Sequence, residues 1–342
     1  MLVNVGHYAI IRRDSGAKKM ALKAMGDIWH YFRMGNLFYP LLGCGYGWVL
    51  AAGGFPDFRE IFYHFFTLHW ERFFTQEMLA YTKLVFGCIV LMLILSAALL
   101  INDYYDLDID KVNPRRKTPL TEGIIDPKLN KVLAILFIAI ALPMAAWMSA
   151  SFFIIAVFDV VVSVGYTDPI LHLKYRAGWD FIANGIFAPV ILLLGGWLTI
   201  APIQNFPVFQ IIPVIIFSGL MNNMVNSALD FESDSEKFKS FGHLLGSKKR
   251  LLVLIAVFGA LFAISSALLA HLNYVFSRSM LPVAIPLLIA SLIVLLLILR
   301  DITKNEVVDS KIYKKIYMKI YAYNALWMTA FLFLLRKYWR IV

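Results

Sequence analysis

Leu84 to Ile101 is a run of eighteen residues without one charged side chain, and that property limits what the chain can become. As a helix the run rises about 27 Å, close to the thickness of a bilayer's hydrocarbon layer. Similar apolar stretches recur at 33–54, 80–105, 130–149, 151–167, 179–201, 207–230, 250–272, 280–299 and 319–337. The pattern predicts an all-α polytopic membrane protein, a bundle of about nine transmembrane helices. Composition agrees, since 60% of the residues are hydrophobic and 16% charged, far from the soluble norm. Several connections are only a few residues long, which predicts antiparallel neighbours in one bundle. Residues 1–32 form a basic lead-in, with an interfacial helix expected around Ala21–Tyr31, and 33–342 form the transmembrane domain.

Sidedness follows from the basic residues. If the N-terminus is cytoplasmic, the tail and the loops after the second, fourth, sixth and eighth spans hold 25 of the 32 Lys and Arg residues. The basic C-terminus, with Arg336, Lys337 and Arg340, is the dissent. The net charge of +10 then belongs to a face against anionic lipid, and nucleic acid need not be invoked.

The second span ends in Asn102-Asp103-Tyr104-Tyr105-Asp106-Leu107-Asp108-Ile109-Asp110. A helix continuing past Ile101 places Asn102, Asp106 and Asp110 at i, i+4 and i+8, on one face. Bare carboxylates on one stripe repel one another, whereas a hard divalent cation such as Mg²⁺ favours such oxygens. Arg115, Arg116 and Lys117 follow, and suit a polyanion brought in by that metal. Asp103 and Asp108 lie off the stripe and are expected to meet solvent or basic neighbours.

The sixth span repeats the arrangement. Asn222, Asn226, Asp230 and Asp234 recur every four residues, and Lys237 and Lys239 follow. Two matched stripes on the same expected side, each trailed by cations, favour joint metal binding over two solvated helix ends. The working expectation is a diphosphate site at the cytoplasmic membrane surface. Between the stripes, the loop Tyr166 to Arg176 carries Pro169, which breaks a helix, and Lys174, within reach of an anion there.

Other polar residues have plainer readings. Arg33 suits a snorkelling anchor at the head of the first span. His64 and His69 suit an interfacial aromatic belt. Cys44 and Cys88 lack ligand spacing and suit packing. Asp159, inside the fourth span, is either paired or part of a site. Asp301 to Lys319 suits a solvated loop. No GxSxG, Walker or HExxH pattern is present, so hydrolytic and nucleotide-driven chemistries have no foothold.

Taken together, Asn102-x-x-x-Asp106-x-x-x-Asp110 and Asp230-x-x-x-Asp234 resemble the two Asp-rich motifs of the UbiA superfamily of intramembrane prenyltransferases. Tyr166-x-x-Pro169-x-x-x-x-Lys174 resembles that family's loop between its fourth and fifth helices. The resemblance covers roughly residues 28–337. Two departures stand out. Thr118 precedes Pro119-Leu120-Thr121-Glu122-Gly123 where the family often has Arg, and Asn226 stands where some members carry a further acid.

The resemblance implies transfer of an isoprenyl group from an isoprenyl diphosphate to a lipophilic or aromatic acceptor. Mg²⁺ would be held by Asn102, Asp106, Asp230 and Asp234, with Asp110 nearby. Arg115, Arg116, Lys117 and Lys174 would take the diphosphate's remaining charge. Tyr166 would wall the allylic carbocation, and Asn36 and Asn226 would line the substrate cavity. Quinone precursors, glyceryl lipids, chlorins and carotenoids all serve as acceptors within the superfamily, and the sequence does not choose among them. A membrane transporter using the same acidic stripes for a cation is the alternative from another class. A CDP-alcohol phosphotransferase ranks lower, because its Asp-Gly-x-x-Ala-Arg signature is missing.

Overall fold

The computed structural model describes residues 34–52, 76–112, 120–171, 173–176, 178–206, 208–234, 244–272, 281–304 and 310–335. The basic lead-in, Arg33, the His64–His69 loop, Arg115, Arg116, Lys117, Lys237, Lys239 and the C-terminal cations lie outside them. So do the side chains of Asp230 and Asp234, whose backbone is helical.

Among the described residues the regular structure is wholly helical. A turn at Met34–Leu37 leads into α1 (Phe38–Ala52), then come α2 (Gln76–Tyr105) and the short α3 (Leu107–Val112). After them follow α4 (Pro127–Met148), α5 (Ala150–Gly165), α6 (Trp179–Leu198), α7 (Val208–Asp234), α8 (Lys248–Leu272), α9 (Leu281–Lys304) and α10 (Ser310–Leu335). Six of these, α2, α4, α6, α7, α8 and α9, are long and apolar enough to cross a membrane. The other three expected spans differ for identifiable reasons. Helices α1 and α5 have 15 and 16 residues, about 22–24 Å of rise against about 30 Å of hydrocarbon. Helix α10 is long but opens on Lys311, Lys314, Lys315 and Lys319, which dilutes its apolar character.

Apolar residues face outward along these helices, as lipid contact requires. Val132 and Ile135 on α4, Ile154 and Val161 on α5, Val253 on α8 and Leu296 on α9 are all exposed. In a protein dissolved in water such belts would invite aggregation.

Because lipid is as apolar as the side chains, helices here associate through close packing rather than through expulsion of water. The glycines show how. A Cβ on Gly196 of α6 would overlap the Cys44 carbonyl of α1, and one on Gly47 of α1 would overlap the Leu193 carbonyl. One on Gly219 of α7 would overlap the Gly185 carbonyl of α6. Helix α6 therefore lies against both α1 and α7. Its backbone widens into a π turn at Ala183–Phe187, where Gly185 makes its contact.

Two smaller anchors complete the frame. Ser149 ends α4 and caps α5, its Oγ accepting from Phe152 N at 3.1 Å. On α9, buried Asp301 gathers Arg300, Lys315 and Lys319, tying α9 to α10. The stretch expected as a solvated loop is thus partly an ion-paired helix contact. Cys44 and Cys88 are buried side by side as thiols, as packing residues should be. Asp159 accepts a hydrogen bond from Ser163 Oγ at 3.0 Å, one turn along the same helix.

Candidate active site

The first stripe survives a break in its helix. Regular α-helix ends at Tyr105 and resumes at Leu107, yet Asp106 N donates to Asn102 O at 2.9 Å and Asp110 N donates to Asp106 O at 2.8 Å. Those two i→i−4 bonds hold Asn102, Asp106 and Asp110 in helical phase across the bend. Asp106 and Asp110 are buried. Asp103 is buried as well, so of the two expected surroundings, solvent or basic neighbours, solvent is excluded. Off the stripe in phase, it turns into the bundle where the helix packs. Asp108 behaves as expected, exposed beside Lys111 at 3.8 Å.

The loop after α5 folds back onto this stripe. Lys174 N donates to Tyr166 O at 2.8 Å, closing the loop on the end of α5. That closure delivers the Lys174 ammonium to Asp106, with Nζ 2.5 Å from Oδ2. Thr167 Oγ1 donates to Asn102 Oδ1 at 3.2 Å. The loop therefore grips two of the three stripe residues. The Lys174 contact is legible in the sequence only as proximity to an anion, and Thr167 carries no sequence signal. Tyr166, half-buried, forms the hinge of the loop.

Shortly past Lys174 the chain enters α6 at Trp179, and there α7, the helix that carries the second stripe, comes alongside. Asn223 Nδ2 on α7 donates to the Asp180 carbonyl at 3.0 Å. The last turn of α2, the loop, the first turn of α6 and the second half of α7 thus lie at one end of the bundle. On α7 the polar stripe is longer than the sequence motif, with Ser218 one turn before Asn222. Asn226 Oδ1, one turn before Asp230, is buried and has no hydrogen-bond partner among the described residues.

Ser218 and Asn222 open into a cavity between α1, α6, α7 and α10, which is partly open to its surroundings. Leu42, Tyr46, Leu192, Ile215 and Trp327 supply most of its apolar wall. Tyr39 and Tyr321 meet at its rim with ring centroids 5.3 Å apart. Across it, Asn222 Nδ2 donates to Asn324 Oδ1 at 2.9 Å. Sequence reasoning misses Asn324, whose one signal is an amide inside an otherwise apolar stretch of α10. Asn36 sits in the turn before α1, half-buried, and the lining begins beyond it at Tyr39.

The donor set suits a hard divalent cation, being carboxylate and amide oxygens with no sulfur or imidazole. Among the described residues no three His, Cys, Asp or Glu side chains converge on one point. The set would be completed by Asp230 and Asp234, and the orphaned Asn226 oxygen points to the same need for a polar partner.

The chain is thus a helical membrane bundle with an Asn/Asp stripe under a lysine loop at one end and an aromatic cavity beside α7. The sequence model of the UbiA prenyltransferase family matches residues 41–323, and the chain belongs to that family. Among curated proteins, the protoheme IX farnesyltransferase of Archaeoglobus fulgidus is 30% identical over 157 residues, which are 44% of this chain and 52% of that one. The chain spans about half the length of this relative. Solved structures cover far more. A UbiA homolog from Archaeoglobus fulgidus bound to GPP and Mg²⁺ has a TM-score of 0.62 at 20% identity, over 89% of this chain and 99% of that one. A digeranylgeranylglyceryl phosphate synthase structure has a TM-score of 0.59 at 17% identity, over 91% and 98%. A UbiA homolog from Aeropyrum pernix has 0.58 at 17%, over 85% and 97%. At these identities the structures establish a shared fold.

Proposed function

We propose that the protein transfers an isoprenyl group from an isoprenyl diphosphate to a hydrophobic or aromatic acceptor, at the cytoplasmic face of the membrane that also holds its N-terminus. The observation that carries the reading is the loop closure on Lys174, which brings a cation onto the Asn102–Asp106–Asp110 stripe beside the start of α6, where α7 packs through Asn223.

Asn102, Asp106, Asp110, Asp230 and Asp234 are the residues to hold Mg²⁺, which when bound neutralises the diphosphate and makes it a better leaving group. Lys174, already beside Asp106, is placed to take charge on the departing oxygens, and Arg115, Arg116 and Lys117 are the further candidates. The donor's C–O bond breaks with its electron pair leaving on the diphosphate. The acceptor's nucleophilic atom bonds the allylic carbon and sheds a proton. Tyr166 offers a π face to the cationic carbon, and the apolar wall of Leu42, Leu192 and Ile215 keeps water from it. Asn226 and Asn36, which flank the cavity's lining rather than belong to it, are further candidates to contact the substrate.

A cation transporter would need ionisable groups deep in the path. Asp159 is the candidate for that role, and its Oδ1 accepts a hydrogen bond from Ser163 on the same helix. The test is prenyl transfer in membranes supplied with labelled geranylgeranyl diphosphate, Mg²⁺ and a lipid extract. Labelled lipid must form, and must vanish with EDTA and in both Asp106→Ala and Asp230→Ala. Full activity in either variant refutes the site, and metal uptake by proteoliposomes without prenyl transfer restores the transporter.

A further inference from the structure

The cavity beside α7 is mostly apolar, but its lining includes two amides, Asn222 and Asn324, that a hydrocarbon tail does not need. We infer that Asn222 and Asn324 form a seat for the prenyl acceptor, and that the acceptor's head is an uncharged ring or chain end bearing a carbonyl or hydroxyl oxygen. The inference rests on the prenyltransferase reading and narrows its second substrate.

Three observations support it. First, the Asn222–Asn324 bond uses one N–H of Asn222 and one acceptor site of Asn324. Each amide has two N–H donors and two acceptor lone pairs, so most of their capacity remains, including both N–H groups of Asn324. Both side chains are half-buried, so these amide groups face accessible space in the cavity, where a ligand oxygen can meet them. Second, the described lining includes Ser218, Tyr39, Tyr46 and Tyr321 but no Lys, Arg, His, Asp or Glu. A phosphate or carboxylate head would lose its hydration with no cation to compensate it, a penalty of several kcal/mol. Third, Asn222 stands eight residues before Asp230 on the same face of α7, about 12 Å along the axis. The donor's reactive carbon is bonded to its diphosphate head, so an acceptor held at this seat would turn its nucleophilic atom toward the stripe end of α7. Tyr39, Tyr321 and Trp327 suit the face of a flat ring.

The test is equilibrium binding to the full-length protein in nanodiscs of 1,4-naphthoquinone and of its 2-sulfonate, a neutral and an anionic probe of like shape. The neutral probe is expected to bind saturably and at least tenfold more tightly than the sulfonate. Asn324→Leu is expected to weaken it about tenfold, or about 1.4 kcal/mol, and Asn324→Gln to recover part of the loss. Mg²⁺-dependent retention of labelled geranylgeranyl diphosphate, measured on the same samples, is expected to stay within twofold of wild type. Equal binding of the two probes by the wild type overturns the inference whatever the variants do. So does unchanged quinone affinity in a folded Asn324→Leu, or a loss of donor retention that grows with prenyl chain length, which would make the cavity a tail pocket. Failure of the wild type to retain the donor at all would instead strike the prenyltransferase reading.

Discussion

Replacing Lys174 by Met probes the contact on which the site is built. The ammonium lies 2.5 Å from Asp106 Oδ2, with the lysine side chain 23% exposed and the aspartate 3% exposed. Removing one partner of a fully buried ion pair costs about 3–5 kcal/mol, mostly from the stranded charge. Lys174 is partly solvated, so water compensates some of that loss, and about 2 kcal/mol is expected. The stranded carboxylate should also become a better metal ligand, since the ammonium no longer competes for Oδ2. Thermal unfolding in detergent without divalent metal should show a melting temperature lower by about 4 °C. Millimolar Mg²⁺ should restore more stability to Lys174→Met than it adds to wild type. Lys174→Arg should keep most of the pairing, and adding Asp106→Asn to Lys174→Met should recover part of the lost stability. The reasoning fails if Lys174→Met is as stable as wild type in EDTA, or if Mg²⁺ stabilises the two chains equally.

Other outcomes follow from single contacts. Thr167→Val removes the hydroxyl that holds Asn102 Oδ1. The Mg²⁺ concentration for half-maximal donor retention should rise several-fold with little change in melting temperature. Gly196→Ala drives a methyl into the Cys44 carbonyl, and a loss of at least about 3 kcal/mol is expected, read as failure to recover monodisperse protein from detergent. Asp301→Asn leaves Arg300, Lys315 and Lys319 facing one another. It should cost about 1–2 kcal/mol at low ionic strength and less in high salt, which a salt series of melting curves will show.

How much is legible in the sequence depends on period and on length. The phase of Asn102, Asp106 and Asp110 can be read because two backbone bonds carry helical geometry through the bend at Asp106. The four-residue beat on α7 is equally plain, and it runs one turn further back to Ser218. Lys174 is legible only as a cation in a proline-broken loop between apolar spans, a weak signal by itself because cations are common at membrane surfaces. What escapes depends on tertiary packing. Asp103 is off the stripe in phase, and only the fold shows that its side of the helix is buried. Asn324 lies in a helix more than a hundred residues from Asn222, and neither residue names the other. The π turn in α6 arises where Gly185 meets α7, a contact that one helix's sequence does not encode. The shortness of α1 and α5 is a matter of helix ends, the least legible feature of any helix.

The central claim is that the two stripes act as one site on the diphosphate. A double-mutant cycle on Mg²⁺-dependent binding of geranylgeranyl diphosphate, with Asp106→Ala, Asp230→Ala and the pair in nanodiscs, addresses it most directly. The account predicts strong coupling, each single change removing most of the affinity and the pair costing little more than the larger single. Independent, additive losses would mean that the two carboxylates serve separate sites.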